Sequence, residues 1–102
     1  NDALPEDIYN NTLCSADWSN IQAVKDQDVN KIPLGMYRWY VTCSDSPMML
    51  LWMAMQNHPE LFEDIDFNET MKDFYSRFYD FTLTDEDIEQ ILNPVREAAG
   101  GI

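Results

Sequence analysis

The feature that most constrains the fold of this chain is an apolar segment from Pro47 to Gln56 that has no polar face. Its apolar residues are Met48, Met49, Leu50, Leu51, Trp52, Met53 and Met55. Large apolar side chains around a whole helix, and not along one stripe, are typical of a helix that other elements cover on several sides. Pro47 suits the first helical position with Ser46 as cap, and the helix should end near Asn57.

Length and charge limit what the rest of the chain can do. With 102 residues, it has room for one small domain and one core, so covering this helix on all sides is difficult. The net charge is -13, from 19 acids and 6 bases. Nucleic-acid binding needs clustered Lys and Arg, so this composition excludes it as a function. The apolar segment is also too short to span a membrane.

Helical patterns dominate the remaining sequence. A short amphipathic helix is predicted from Asp17, and a second helix carries Phe67, Met71, Phe74 and Phe78 on one stripe with Asn68 as cap. A helical turn is predicted at Pro59, and Thr84 with Asp87 resembles a capping box that opens a last helix. The first 13 residues are predicted to be a loop, and the tail after Asn93-Pro94 is predicted to be frayed.

One strand is predicted at Val29 to Leu34, where Pro33 would place it at an edge or a strand end. The expected fold is therefore an α/β fragment that is mainly helical, with four to five helices and two or three short strands.

No motif of an enzyme is visible. The sequence lacks a Gly-x-Ser-x-Gly motif and a glycine-rich phosphate loop, and no histidine lies near Cys14 or Cys43 to activate them. The two cysteines do not form a Cys-x-x-Cys motif, which leaves two free thiols or one disulfide open. We predict that the protein is not an enzyme.

The sequence "MYRWY", from Met36 to Tyr40, is the best candidate for a binding site. Arg38 lies among Tyr37, Trp39 and Tyr40, where its guanidinium could stack on a ring and keep its donors for an anion. An arginine that packs on aromatics and pairs with a nearby acid explains the same pattern. The position after a strand and before a helix favours ligand binding, because ligands collect at the carboxyl ends of strands in α/β sheets.

Three stretches carry a resemblance to a known family. "WSNIQAVKDQDVNKIPLGMYRW", "SDSPMMLLWMAMQNHPELFEDID" and "MKDFYSRFYDFTLTDEDIEQIL" together resemble the C-terminal end of substrate-binding proteins of iron-complex ABC transporters, a group that also takes up haem and cobalamin. The resemblance runs from about Asp17 to Leu92. It implies a fold of two α/β lobes joined by one long helix, with the chelate between the lobes.

On this resemblance, residues 1–102 form one incomplete domain, the later part of the second lobe. The loop from Gly35 to Tyr40 would face the cleft, with Arg38 on carboxylate or catecholate oxygens of an iron chelate and Tyr37, Trp39 or Tyr40 lining the site. The chelator would hold the iron, so neither a cofactor nor a metal ligand from this chain is implied.

The resemblance further implies an ABC permease as partner and an extracytoplasmic location. The chain begins at Asn1 without a methionine or a leader, so we expect a targeting segment to have been removed or left out. The apolar helix would be covered by the missing first lobe and upstream strands, or by self-association. A disulfide between Cys14 and Cys43 is conceivable in that fold, because each precedes a helix at the cleft side of the layer.

A second hypothesis belongs to a different class. The chain could be a free-standing acidic helical interaction module without a transport role, in which the apolar helix binds a partner.

Overall fold

The computed structural model describes residues 3–100, and regular structure in that range is helical. The α-helices are α1 (Pro5–Tyr9), α2 (Gln22–Lys25), α3 (Ser46–Asn57), α4 (Phe67–Tyr79), α5 (Asp85–Leu92) and α6 (Arg96–Gly100), with a 3-10 turn at Pro59–Leu61. No helix of residues 3–100 is long and apolar enough to cross a membrane. The prediction of a mainly helical chain is confirmed.

The predicted strands are not formed anywhere in residues 3–100. Leu34 makes one isolated antiparallel bridge with Arg38, and its N–H donates to the carbonyl oxygen of Ile91 at 3.0 Å. Farther back, the hydroxyl of Tyr9 accepts from the Val29 N–H and donates to the Val29 carbonyl. An extended segment becomes a strand only where a neighbouring strand exchanges backbone hydrogen bonds with it. Here the end of a helix and a tyrosine side chain make those hydrogen bonds instead.

The described chain forms two compact units, one up to Lys31 and from Pro94 onward, the other from Ile32 to Asn93. In the first unit, Asp7 accepts two hydrogen bonds from the Arg96 guanidinium at 2.8 and 2.9 Å. These bonds hold the pKa of Asp7 below its usual value. The ion pair therefore links α1 to α6 within this unit.

Two predictions for the first unit were wrong, and a third is confirmed only in part. The N-terminal segment forms α1, because Pro5 opens a helix and the Asp7 carboxylate accepts from the Leu4 N–H. The helix predicted from Asp17 is only the single turn α2, because Asp17 accepts from the Ser19 N–H and closes a turn before it. The tail predicted to be frayed contains α6.

The second unit has its core where α4 meets α3 and α5. The buried side chains at its centre are Trp39, Met48, Met71, Tyr75, Leu83 and Ile88. Asp66, and not the predicted Asn68, caps α4 by accepting from the Glu69 N–H at 3.0 Å. The predicted capping box of α5 is confirmed, with Thr84 and Asp87 exchanging hydrogen bonds.

A lysine joins α4 to α5 at the surface. Lys72 Nζ lies 2.8 Å from an Asp85 oxygen and 2.9 Å from a Glu69 oxygen. The hydrogen bond with Asp85, followed by that with Glu69, raises the pKa of Lys72. The contact fixes the start of α5 against the first half of α4.

Helix α3 is only partly covered. Met48 is buried and Met49 and Trp52 pack against the core, whereas Leu50 is 71% exposed and Met53 41% exposed. The helix begins at Ser46, one residue before the predicted start, and ends at Asn57 as predicted. Its apolar outer face therefore meets solvent in this structure.

Candidate functional site

The candidate site is the segment from Gly35 to Cys43, called the arginine loop below, which lies between the Leu34 bridge and α3. Its residues have no regular secondary structure beyond the bridge between Leu34 and Arg38. A loop of this length holds one conformation only where other groups satisfy its backbone and polar side chains. Those groups come from α4 and from the residue before α3.

A single buried carboxylate accepts hydrogen bonds from several residues of the arginine loop. Asp45 has 0% of its surface exposed. Its Oδ2 accepts from the Met36 N–H at 2.8 Å, from the Trp39 indole N–H at 2.8 Å and from the Tyr75 hydroxyl at 2.7 Å. Its Oδ1 accepts from the Cys43 thiol at 3.0 Å. Three donors thus come from the loop and one from α4.

This arrangement keeps Asp45 ionised. Burial opposes ionisation, but the hydrogen bonds from Cys43, Tyr75, Trp39 and Met36 together outweigh it and hold the pKa of Asp45 below its usual value. The same contact acts in the other direction on the tyrosine, since burial, followed by the hydrogen bond to Asp45, raises the pKa of Tyr75. The pair is therefore a carboxylate with a neutral phenol at neutral pH.

Gly35 makes the close approach possible. A Cβ built on Gly35 would overlap Oδ2 of Asp45 and Nε1 of Trp39, and would lie 2.8 Å from the Tyr75 hydroxyl. Any other residue at this position must displace the carboxylate or its donors. Glycine is thus required by the packing of the polar cluster against the backbone.

The C-terminal part of the loop is tied to the start of α3. The Ser46 hydroxyl accepts from the Cys43 N–H at 2.8 Å and donates to the Val41 carbonyl at 3.0 Å. The loop is thus held at both ends, by the bond from the Met36 N–H to Asp45 on one side and by Ser46 on the other.

Arg38, for which the sequence predicted a ligand contact, lies in the middle of the arginine loop. The residue is half-buried, and one terminal nitrogen donates to the Tyr40 hydroxyl at 2.9 Å. Tyr37 and Tyr40 are each 48% exposed and Met36 is 61% exposed. The loop thus combines a half-buried guanidinium, bound to Tyr40, with exposed aromatic and apolar side chains at neighbouring positions of the sequence.

Trp39 does not belong to that surface, which corrects the prediction that it lines the ligand. Its side chain is 1% exposed, because the ring fills the core and its N–H is bound to Asp45. A ligand could reach it only after the loop opened.

The conceivable disulfide is not formed, since both cysteines are free. The Cys43 thiol donates instead to Asp45 at 3.0 Å and lies 3.2 Å from the Ser46 hydroxyl oxygen. Cys14 is exposed. Within residues 3–100, no group of three or more His, Cys, Asp or Glu side chains is placed to hold a metal ion.

Sequence reasoning missed Asp45 and Tyr75 as residues of the site, and it placed Gly35 in the loop without the close approach that requires a glycine there. Neither Asp45 nor Tyr75 stands out in the sequence as part of a site. Their contact joins residues 30 positions apart, which no local pattern shows. The available signal was a glycine directly before the aromatic run, at a position where close backbone approach is common.

This chain is similar to two solute-binding proteins. The chain is 31% identical over 74 residues to the molybdate-binding protein MolA of Haemophilus influenzae, a match over 72% of this chain. A crystal structure of a periplasmic solute-binding protein from Veillonella parvula superposes with a TM-score of 0.82 and 42% identity over 89% of this chain. Homologues of this chain are solute-binding proteins.

The chain spans only a part of these solute-binding proteins, 21% of the Haemophilus protein and 28% of the Veillonella protein. No family model matches it. The resemblance to a binding-protein fragment is therefore confirmed, whereas the iron-complex type is not, because the curated relative is named for molybdate. Solute-binding proteins are not enzymes, in agreement with the sequence prediction.

Proposed function

We propose that this chain forms part of one lobe of the substrate-binding component of an ABC transporter, and that the arginine loop contacts an anionic solute through Arg38. The proposal rests on one observation. A half-buried arginine whose terminal nitrogen binds the Tyr40 hydroxyl is flanked by exposed Tyr37 and Met36, on a loop that a buried carboxylate holds in place. Such an arginine can give charge-assisted hydrogen bonds to an anion without first being ordered.

The solute we propose is an anionic iron chelate. Met36, Tyr37 and Tyr40, the exposed neighbours of Arg38 in the sequence, are aromatic or apolar, which suits a ligand with an organic body as well as negative oxygens. Molybdate, for which the Haemophilus relative is named, is small and has no organic part. A site for molybdate alone would leave Met36 and Tyr37 without a role in binding.

The proposed location is extracytoplasmic and the proposed partner is an ABC permease. Similarity to a protein described as a periplasmic solute-binding protein supports the location. A substrate-binding component delivers its solute to a permease, so this partner follows from the same proposal.

The 102-residue chain should bind an iron chelate weakly or not at all when it is studied alone. A ligand pocket buries most of its ligand between converging walls, and the described loop supplies one wall. The binding experiment therefore uses the complete protein that carries this chain.

The test compares Arg38→Ala with Arg77→Ala, measured by titration calorimetry with ferric tris-catecholate and, separately, with molybdate. Arg77 is a matched control because it is an exposed arginine of the same unit, paired with Asp73 at 2.9 Å. Arg38→Ala should weaken binding of the ferric complex by about 1.5–3 kcal/mol, the range for hydrogen bonds to charged groups. Arg77→Ala should leave the affinity within about 0.5 kcal/mol of the parent value.

Both variants should keep the parent melting temperature to within a few degrees. If Arg38→Ala lowers the melting temperature strongly while affinity is intact, then Arg38 holds the loop and the solute binds elsewhere. Binding of molybdate but not of the ferric complex would refute the proposed solute.

The alternative function, an interaction module, is favoured by the exposed face of α3, where Leu50 and Met53 meet solvent. It predicts a free-standing, stable monomer that binds no solute and captures a partner through α3. Solute binding that depends on Arg38 and persists in Leu50→Ser would exclude it.

A further inference from the structure

We infer that Asp45 is the positioning residue of the arginine loop, acting on Arg38 through the Met36 backbone and the Trp39 side chain. Its consequence for affinity rests on the proposed function. The effect of Asp45 on the conformation of the loop does not depend on the proposed function, so the conformation and the affinity are measured in separate experiments.

The hydrogen bonds to Asp45 are placed on both sides of Arg38. Met36 donates from the backbone two residues before it, and Trp39 donates from the indole directly after it. The Arg38 backbone is thereby held between two fixed points. The C-terminal end of the loop is held in addition by the Cys43 thiol, which donates to Asp45, and by the Cys43 N–H, which donates to the Ser46 hydroxyl.

The fourth donor connects the loop to the helical core. The Tyr75 hydroxyl reaches Asp45 from α4 at 2.7 Å, and Tyr75 is itself a buried residue of that helix. A loop anchored only to itself could move as a body. The contact with Tyr75 fixes it relative to α4.

A carboxylate is required at this position because every group that faces its two oxygens at hydrogen-bond distance is a donor. An ionised aspartate is an acceptor only, so it can satisfy all four. An asparagine has the same size but carries no charge, and its NH₂ group takes the place of one of the two acceptor oxygens. Asp45→Asn therefore leaves the side-chain volume unchanged but removes the negative charge and one acceptor oxygen that the donors use.

The conformational test measures amide hydrogen exchange by NMR on the 102-residue chain. Asp45→Asn should raise the exchange rate of the Met36 amide at least tenfold relative to amides in the middle of α4, and should shift the Trp39 indole proton upfield. Asp66→Asn is the matched control, because Asp66 is an exposed carboxylate that also accepts a backbone N–H, at 3.0 Å. It should leave both signals unchanged.

Tyr75→Phe serves as the second variant, since it removes one donor and keeps the ring. It should raise Met36 exchange relative to α4 by a smaller factor than Asp45→Asn, and it carries the test if Asp45→Asn does not fold. Equal acceleration at Met36 and throughout α4 in both variants, or no change at Met36, would overturn the inference, because Asp45 would then act only on global stability or not at all.

The affinity test uses the complete protein and ferric tris-catecholate. Asp45→Asn should weaken binding at least tenfold although Arg38 is present, and Asp66→Asn should not. If Met36 exchange rises while affinity for the ferric complex stays unchanged, the positioning role stands and the proposed function of the loop is refuted.

Discussion

Replacing Gly35 with alanine gives the most direct test of the polar cluster behind the arginine loop. The added Cβ would overlap Oδ2 of Asp45 and Nε1 of Trp39, and would approach the Tyr75 hydroxyl to 2.8 Å. None of these atoms is the end of a flexible side chain that can turn away, since all three side chains are buried. The carboxylate must therefore move, and the bonds from Trp39 and Tyr75 are the first to be lost.

The magnitude follows from those two bonds. Hydrogen bonds to a charged group contribute about 1.5–3 kcal/mol each, so their loss costs about 3–6 kcal/mol. Alanine also restricts the unfolded chain, which returns about 0.4–1 kcal/mol. Gly35→Ala should thus lower the free energy of unfolding by about 2–5 kcal/mol, a large share of the roughly 5–15 kcal/mol of a small domain.

Urea denaturation of the 102-residue chain, followed by far-UV circular dichroism, measures this change as a lower midpoint at constant slope. Ser44→Ala is the matched control, because Ser44 is an exposed residue beside the same cluster, and it should stay within about 0.5 kcal/mol of the parent. Adding Tyr75→Phe to Gly35→Ala should cost less than the sum of the two changes, because both act on one contact. A loss below about 1 kcal/mol for Gly35→Ala would refute the reasoning.

Two further predictions concern the fold. The pKa values of Asp45 and Asp87 are lowered in the folded state. Their contribution to stability is therefore complete at a pH above the pKa of an unfolded aspartate, about 3.9, and is lost as the pH falls through their lower folded-state pKa values. Urea midpoints should therefore be level from pH 7 to about pH 5 and fall below about pH 4, and a midpoint that rises on acidification would contradict this. Met71 is 0% exposed, so Met71→Ala should lower the free energy of unfolding by about 2–5 kcal/mol. Leu50 lies on the exposed face of α3, so Leu50→Ala should lower the free energy of unfolding by less than about 0.5 kcal/mol. The Leu50→Ala variant should also bind less of an apolar dye than the parent chain does. Equal losses of stability for Met71→Ala and Leu50→Ala would contradict the assignment of the core.

Helices with local start signals could be predicted from the sequence. Pro47 after Ser46 and the Thr84 to Asp87 capping box each act within one turn, and α3 and α5 begin at or next to the predicted residues. The same kind of signal at Pro5 was present but was outweighed by the polar composition around it, so α1 was missed.

The failure of the predicted strand to form and the presence of the polar cluster could not be foreseen, because both depend on partners remote in sequence. Val29 to Leu34 has strand-forming residues, but Tyr9 and the end of α5 take the hydrogen bonds that a second strand would need. Asp45 depends on Tyr75, which reaches it from the middle of another helix. The aromatic run around Arg38 was recognised, whereas the burial of Trp39 was not, since a tryptophan beside an arginine suits a surface and a core equally well.

The setting of Arg38 has a kinetic consequence. Lys72 and Arg77 of the same unit contact carboxylates, and the chain as a whole has a net charge of -13. Under the proposed function, an anionic solute that approaches the arginine loop is repelled at long range by the other charges of this chain. Salt screens charges farther apart than about 8 Å at physiological ionic strength, so added salt should weaken the repulsion that this chain exerts on such a solute. A basic binding cleft, which steers anions toward itself, shows the opposite dependence.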